Sequence, residues 1–91
     1  PARHIAYTTR NESKTYPLPT AIETFLDQPF SMTHDELDQA LASMAALPEY
    51  ADIRTTNASN GEVYLYSATF LGDAHASGLA EWIAVGQKEN P

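Results

Sequence analysis

The chain is expected to fold as a small α+β domain, a mostly antiparallel sheet of about three strands with helices packed on one face. Three observations predict this class. A helical apolar stripe stands behind a capping box over residues 33 to 47, and a strand–turn–strand pattern runs from 50 to 70. A content of 43% hydrophobic and 19% charged residues is the balance of an ordinary globular domain. The expected order is strand, helix, helix, strand, strand, helix, in a single domain over residues 1 to 91.

The first strand is expected at residues 3 to 9, RHIAYTT, where Ile5, Tyr7 and Thr9 alternate among β-branched and aromatic neighbours. The polar run 11 to 14 then reads as a turn, and Pro17 and Pro19 end any ladder. Thr20 and Glu23 have the spacing of a capping box for a short helix carrying Ile22, Phe25 and Leu26, which Pro29 stops. A second box, Thr33 with Glu36, opens the most secure element. Behind it Leu37, Ala40, Leu41, Met44 and Leu47 form one stripe, with acidic residues in the early turns where the helix dipole favours them.

Residues 50 to 56 and 62 to 70 form a hairpin around Asn57 to Gly61, because Asn60 and Gly61 both tolerate positive φ. A final helix from about Asp73 to Gln87 would anchor Leu79, Trp82 and Ile83 in the core, weakened by Gly78 and Gly86.

The strand 63 to 70 is unusual. Val63 and Leu65 point one way and Tyr64 and Tyr66 the other, so both faces carry large apolar surface. The tyrosine face is either covered by the N-terminal arm or last helix, offered to a partner, or used to line a small-molecule pocket. As a contact surface it would comprise Tyr64 and Tyr66, with Tyr50 or Tyr7 beside them.

Composition narrows the functions. Twelve acidic residues against five basic ones give a net charge of −7, which disfavours nucleic acid and anionic membranes as partners. The hairpin has the place of the wing in a winged helix, but the exposed face of the helix behind Thr33 is acidic and would repel DNA. No apolar run approaches the roughly 18 residues that cross a bilayer. The absence of cysteine excludes disulfides and thiolate chemistry and fits a cytoplasmic protein.

Candidate chemistry is sparse. Asp73 and His75 follow a strand and Gly72, so His75 could act as a general base oriented by Asp73 in a small hydrolase or isomerase. The competing reading makes Asp73 a helix N-cap and His75 an ordinary first-turn residue. Metal binding would need His4, His34 and His75 to converge, or His34 and Asp38 to meet on one helical turn, and no spaced ligand set supports it. Glycine-rich phosphate motifs are absent, so no cofactor is expected. Pro1 before an expected strand resembles the tautomerase superfamily, whose terminal amine is a catalytic base; the likeness stops there, since residues 2 to 8 are not its apolar strand and its β-α-β unit is missing. The sequence is best read as a non-catalytic binding domain acting through a protein partner or its own copy.

Overall fold

The structure, a computed structural model, describes residues 2–86. Both Pro1 and the expected helix end at Gln87 lie outside those residues. The chain forms helix α1 (Ala2–Thr15), strand β1 (Thr20–Ala21), a 3₁₀ turn (Ile22–Leu26), helix α2 (His34–Ala45) and a second 3₁₀ turn (Pro48–Tyr50). Strands β2 (Ile53–Asn57) and β3 (Val63–Ser67) follow, then helix α3 (Asp73–Glu81), which ends in a wide π-type turn (Trp82–Gly86). The sheet is antiparallel with order β1-β3-β2, so the class and strand number are as expected.

Residues 3 to 9 are the main departure: they are helical, not extended. The buried residues Ile5, Ala6, Thr9 and Ser13 recur at i, i+1, i+4 and i+8, a helical face built half from small polar side chains. An apolar count therefore misses it. The third strand comes instead from Thr20–Ala21, which pairs with Tyr64 and Leu65. Thr20 does not cap a helix, because its hydroxyl donates to the Glu12 carboxylate and its backbone belongs to the ladder. The 3₁₀ turn that follows has no side-chain cap, yet it buries Phe25 completely.

The short β1 explains why Ser13 is polar. Residues 63, 65 and 67 of β3 direct their backbone groups away from β2, and β1 begins too late, at Thr20, to meet the last of them. The Ser67 N–H donates instead to Ser13 Oγ of α1, 3.0 Å away. A buried donor that would cost stability is thereby satisfied.

Helix α2 begins as expected. Glu36 N–H donates to Thr33 Oγ1 at 3.1 Å, and Thr33 N–H donates to Glu36 Oε1 at 2.9 Å. Leu37, Ala40 and Met44 join Ile5, Ala6, Phe25 and Leu65 in the main core, between α1, α2 and one face of the sheet. Leu47 lies beyond the helix and is exposed.

The other face belongs to α3, so the helices are divided between the two faces of the sheet. Tyr64 packs with Ala80 and Ala84, and Tyr66 with Leu71 and Ala76. Of the expected anchors, Leu79 and Ile83 are only partly buried and Trp82 is 51% exposed. Alanines take the buried positions because the bulk comes from β3: large rings on the strand require small residues on the helix. Alanines four apart drift by about 40° per step around an α-helix, and the wider turn at Trp82–Gly86 compensates for that drift before Ala84. The hairpin loop is held to this helix by Glu81, whose carboxylate accepts from Ser59 N–H at 2.7 Å and Ser59 Oγ–H at 2.5 Å. Gly61 in that loop has φ +91°, a conformation few other residues adopt.

One carboxylate joins the pieces. Arg10 donates to Asp52 through Nε at 2.9 Å and Nη2 at 2.6 Å, and Nη2 also reaches the Glu49 carbonyl at 2.8 Å. Ser67 Oγ donates to Asp52 Oδ2 at 2.6 Å. The Arg10 guanidinium holds the Asp52 carboxyl down to about 2, against partial burial that opposes the shift. This lowered value stabilises the fold above the ordinary 3.8, and the stabilisation is lost as pH falls through about 2. Arg10→Met is expected to lower stability at neutral pH, with the gap from wild type closing between about pH 4 and 2 in urea titrations; a gap independent of pH would refute the coupling. A second expectation concerns Thr9, fully buried with no partner for Oγ1 among the described residues. Thr9→Val should raise unfolding stability by about 1 kcal/mol, and a loss of that size would show that the hydroxyl is bonded.

Candidate functional site

The tyrosines singled out in the sequence separate into two groups. Tyr64 and Tyr66 are 2% and 4% exposed, covered by α3 of their own chain. Their rings are core and present no open face. Each keeps its hydroxyl bonded, Tyr64 to Glu62 at 2.9 Å and Tyr66 to Asp73 at 2.6 Å. Burial first, and the Glu62 carboxylate second, push the Tyr64 phenol up to about 12. Tyr7 and Tyr50 lie elsewhere, and the fold brings them together.

Asp73 is neither an N-cap nor a partner of His75. Gly72 occupies the cap, and the Asp73 carboxylate accepts from Tyr66 and, at 3.0 and 3.2 Å, from Arg54. The Tyr66 hydrogen bond, then Arg54, lowers its pKa. His75 is exposed, with no hydrogen bond or ion pair among the described residues. Among the described residues no hydrogen bond joins His75 to Asp73 or to a nucleophile.

The arrangement that stands out is a cleft of about 420 Å³ along α1. Arg3, Tyr7, Arg10 and Lys14 recur at i, i+4, i+7 and i+11, which places them in one row beside the buried stripe. Tyr50 comes from the 3₁₀ turn before β2, Phe70 from the turn after β3, and Asn11 and Glu49 complete the wall. Three of the five basic residues of the chain meet here, among three aromatic rings. Asp52 fixes Arg10, whose guanidinium carbon lies 5.7 Å from the Tyr50 ring centre. Lys14 Nζ lies 5.7 Å from the Phe70 ring centre. Arg3 and Lys14 have no carboxylate partner among the described residues, and Tyr7 is 71% exposed. Two unneutralised cations over open aromatic surface suit a carboxylate attached to an apolar or aromatic group. The sequence carried this signal at four positions, but alternation in residues 3 to 9 suggested a strand and scattered the row over two faces.

A second cleft, about 590 Å³, is lined by His4, Ser31 and Glu36 together with Ile5, Pro29, Phe30 and Met32. Those three polar types could serve a hydrolase, but no hydrogen bond joins any two of them and all are exposed. Glu36 is committed to capping α2. Among the described residues no group of three or more His, Asp or Glu side chains could hold a metal, and His4, His34 and His75 stay on separate elements. No helix among those residues is long and apolar enough to cross a membrane.

The chain is 38% identical over 89 residues to the uncharacterized protein YdhW of Escherichia coli (strain K12). The match covers 98% of this chain and 41% of that protein, so the chain spans about two fifths of the length of its relative. No solved structure matches. The family model of the YdhW C-terminal domain matches residues 1–88, and the chain belongs to that family.

Proposed function

We propose that this domain is a non-catalytic docking module that holds a carboxylate-bearing segment of a partner protein in the cleft along α1. The observation that carries this reading is the charge distribution. Arg3, Arg10 and Lys14 share one cleft with a single acidic residue in its wall, Glu49, while the other eleven acidic residues and only two other basic ones occupy the remainder of the chain. Such a local reversal attracts an acidic segment to one place and repels it from the rest. Tyrosine, phenylalanine and arginine are also the residues enriched where proteins meet.

Protein is favoured over nucleic acid because Arg10 is already neutralised by Asp52, leaving two cations, too few to follow a phosphate backbone. The cytoplasmic setting expected from the cysteine-free sequence belongs to the same reading.

The test is fluorescence anisotropy with a labelled peptide of alternating glutamate and tyrosine. Arg3→Glu/Lys14→Glu should weaken its binding at least about tenfold, since each exposed charge pair is worth up to about 1 kcal/mol and reversal adds repulsion. Added salt should weaken it as well. Equal affinity for wild type and the double variant removes the cleft from consideration. Tighter binding of a single-stranded oligonucleotide than of the peptide would overturn the choice of partner.

A further inference from the structure

The free edge of the sheet adds a second element to that reading, on which this inference rests. Strand β2 is an outer strand. Its ladder phase is set by Ala58 N–H donating to Glu62 O at 2.9 Å and Ala68 N–H donating to Asp52 O at 2.7 Å. Arg54 and Thr56 therefore bond inward to β3, while Ile53, Thr55 and Asn57 direct their N–H and C=O groups outward. No partner among the described residues takes those outward groups. Protected edges carry proline, lysine, bulges or a covering element. The strand Ile-Arg-Thr-Thr-Asn has no proline or lysine, and its arginine is drawn onto α3 by Asp73.

Beside this edge lies an apolar groove of about 400 Å³, with Leu41, Met44 and Ala45 of α2 on one side and Ile53 and Leu65 of the sheet on the other. Met44, Ala45 and Ile53 also line the adjoining hollow around Leu47, and that hollow shares Tyr50 with the basic cleft. The shared residues set the groove, the hollow and the cleft in succession from β2 to the α1 cations.

We propose that one extended partner segment follows this succession, adding a strand to β2 and placing acidic residues on Arg3 and Lys14. Main-chain bonds to Ile53, Thr55 and Asn57 would hold it, and alternate apolar side chains would enter the groove. The segment is taken to add antiparallel, as both strand pairs of the sheet do, and this sets its direction. The start of β2 lies beside Asp52 and hence beside Arg10, so an antiparallel strand arrives at the cations with its C-terminal end. The segment is therefore apolar in alternation first and acidic afterwards. A second copy of the chain is the weaker occupant, because it would bring a charge of −7 against −7.

The probe is a labelled peptide in which valine alternates with threonine and which ends in glutamates. It should bind more tightly than the same residues in reversed order and than a glycine–glutamate peptide. Thr55→Pro removes one outward N–H and leaves the β2–β3 bonds, so its circular dichroism should match wild type while peptide affinity falls about fivefold to tenfold. In the wild type, peptide should slow amide hydrogen exchange at Ile53, Thr55 and Asn57. If the glycine–glutamate peptide binds as well, Thr55→Pro has no effect and those amides exchange unchanged, strand addition is refuted while the basic cleft stands. If Arg3→Glu/Lys14→Glu leaves every affinity unchanged, the docking reading itself fails. A peptide-free dimer that Thr55→Pro dissolves in sedimentation would make the occupant a second copy and overturn the assignment.

Discussion

The geometry of the molecule depends on the Asp52 carboxylate. It accepts two bonds from Arg10 of α1 and one from Ser67 of β3, while its own carbonyl receives the first inter-strand bond from Ala68. Three segments distant in sequence are thereby fixed at one point. The alternative anchor for α1, apolar burial, is modest: Ile5 and Ala6 are its fully buried apolar residues, and Thr9 and Ser13 complete the face. A helix with so small an apolar face requires directional bonds to fix its position. Those same bonds orient Arg10 beneath Tyr50, so the clasp that seats the helix also builds the floor of the basic cleft.

Legibility in the sequence followed the kind of interaction involved. Helix α2 could be read because its stripe is apolar and its cap uses two residues at fixed spacing. The hairpin could be read because Asn60 and Gly61 suit a turn. Helix α1 could not, since Ser13 is buried to accept the Ser67 N–H and Thr9 is buried with its Oγ1 unpartnered among the described residues, and neither residue enters an apolar pattern. Thr20 illustrates a different failure. Its spacing to Glu23 matches a capping box, but Glu12, eight residues earlier, takes the hydroxyl, and only the fold reveals that competitor. The double-faced character of β3 was visible, and the cover for its tyrosines lay in Ala76, Ala80 and Ala84, residues too small to mark a face by hydropathy.

The site followed the same logic. Asp73 and His75 attracted attention through their position after a strand, yet Asp73 is consumed by Tyr66 and Arg54. Tyr7 and Tyr50 belong to the cleft, although they reach it from α1 and from the turn before β2, not from across the sheet. The four-residue row on α1 has meaning only once that segment is helical, so one error in secondary structure concealed the candidate site.

The bare edge of β2 also bears on how the molecule survives in concentrated solution. An unprotected strand is an invitation to stack, and proteins commonly answer it with a local obstacle on the edge itself. Here no such obstacle stands among the residues of the strand, and the deterrent is diffuse: an acidic exterior that keeps like chains apart before their edges can align. Colloidal protection of this kind is indifferent to the strand's sequence and yields to an oppositely charged visitor. The acidity of the chain is thus a matter of company more than of folding.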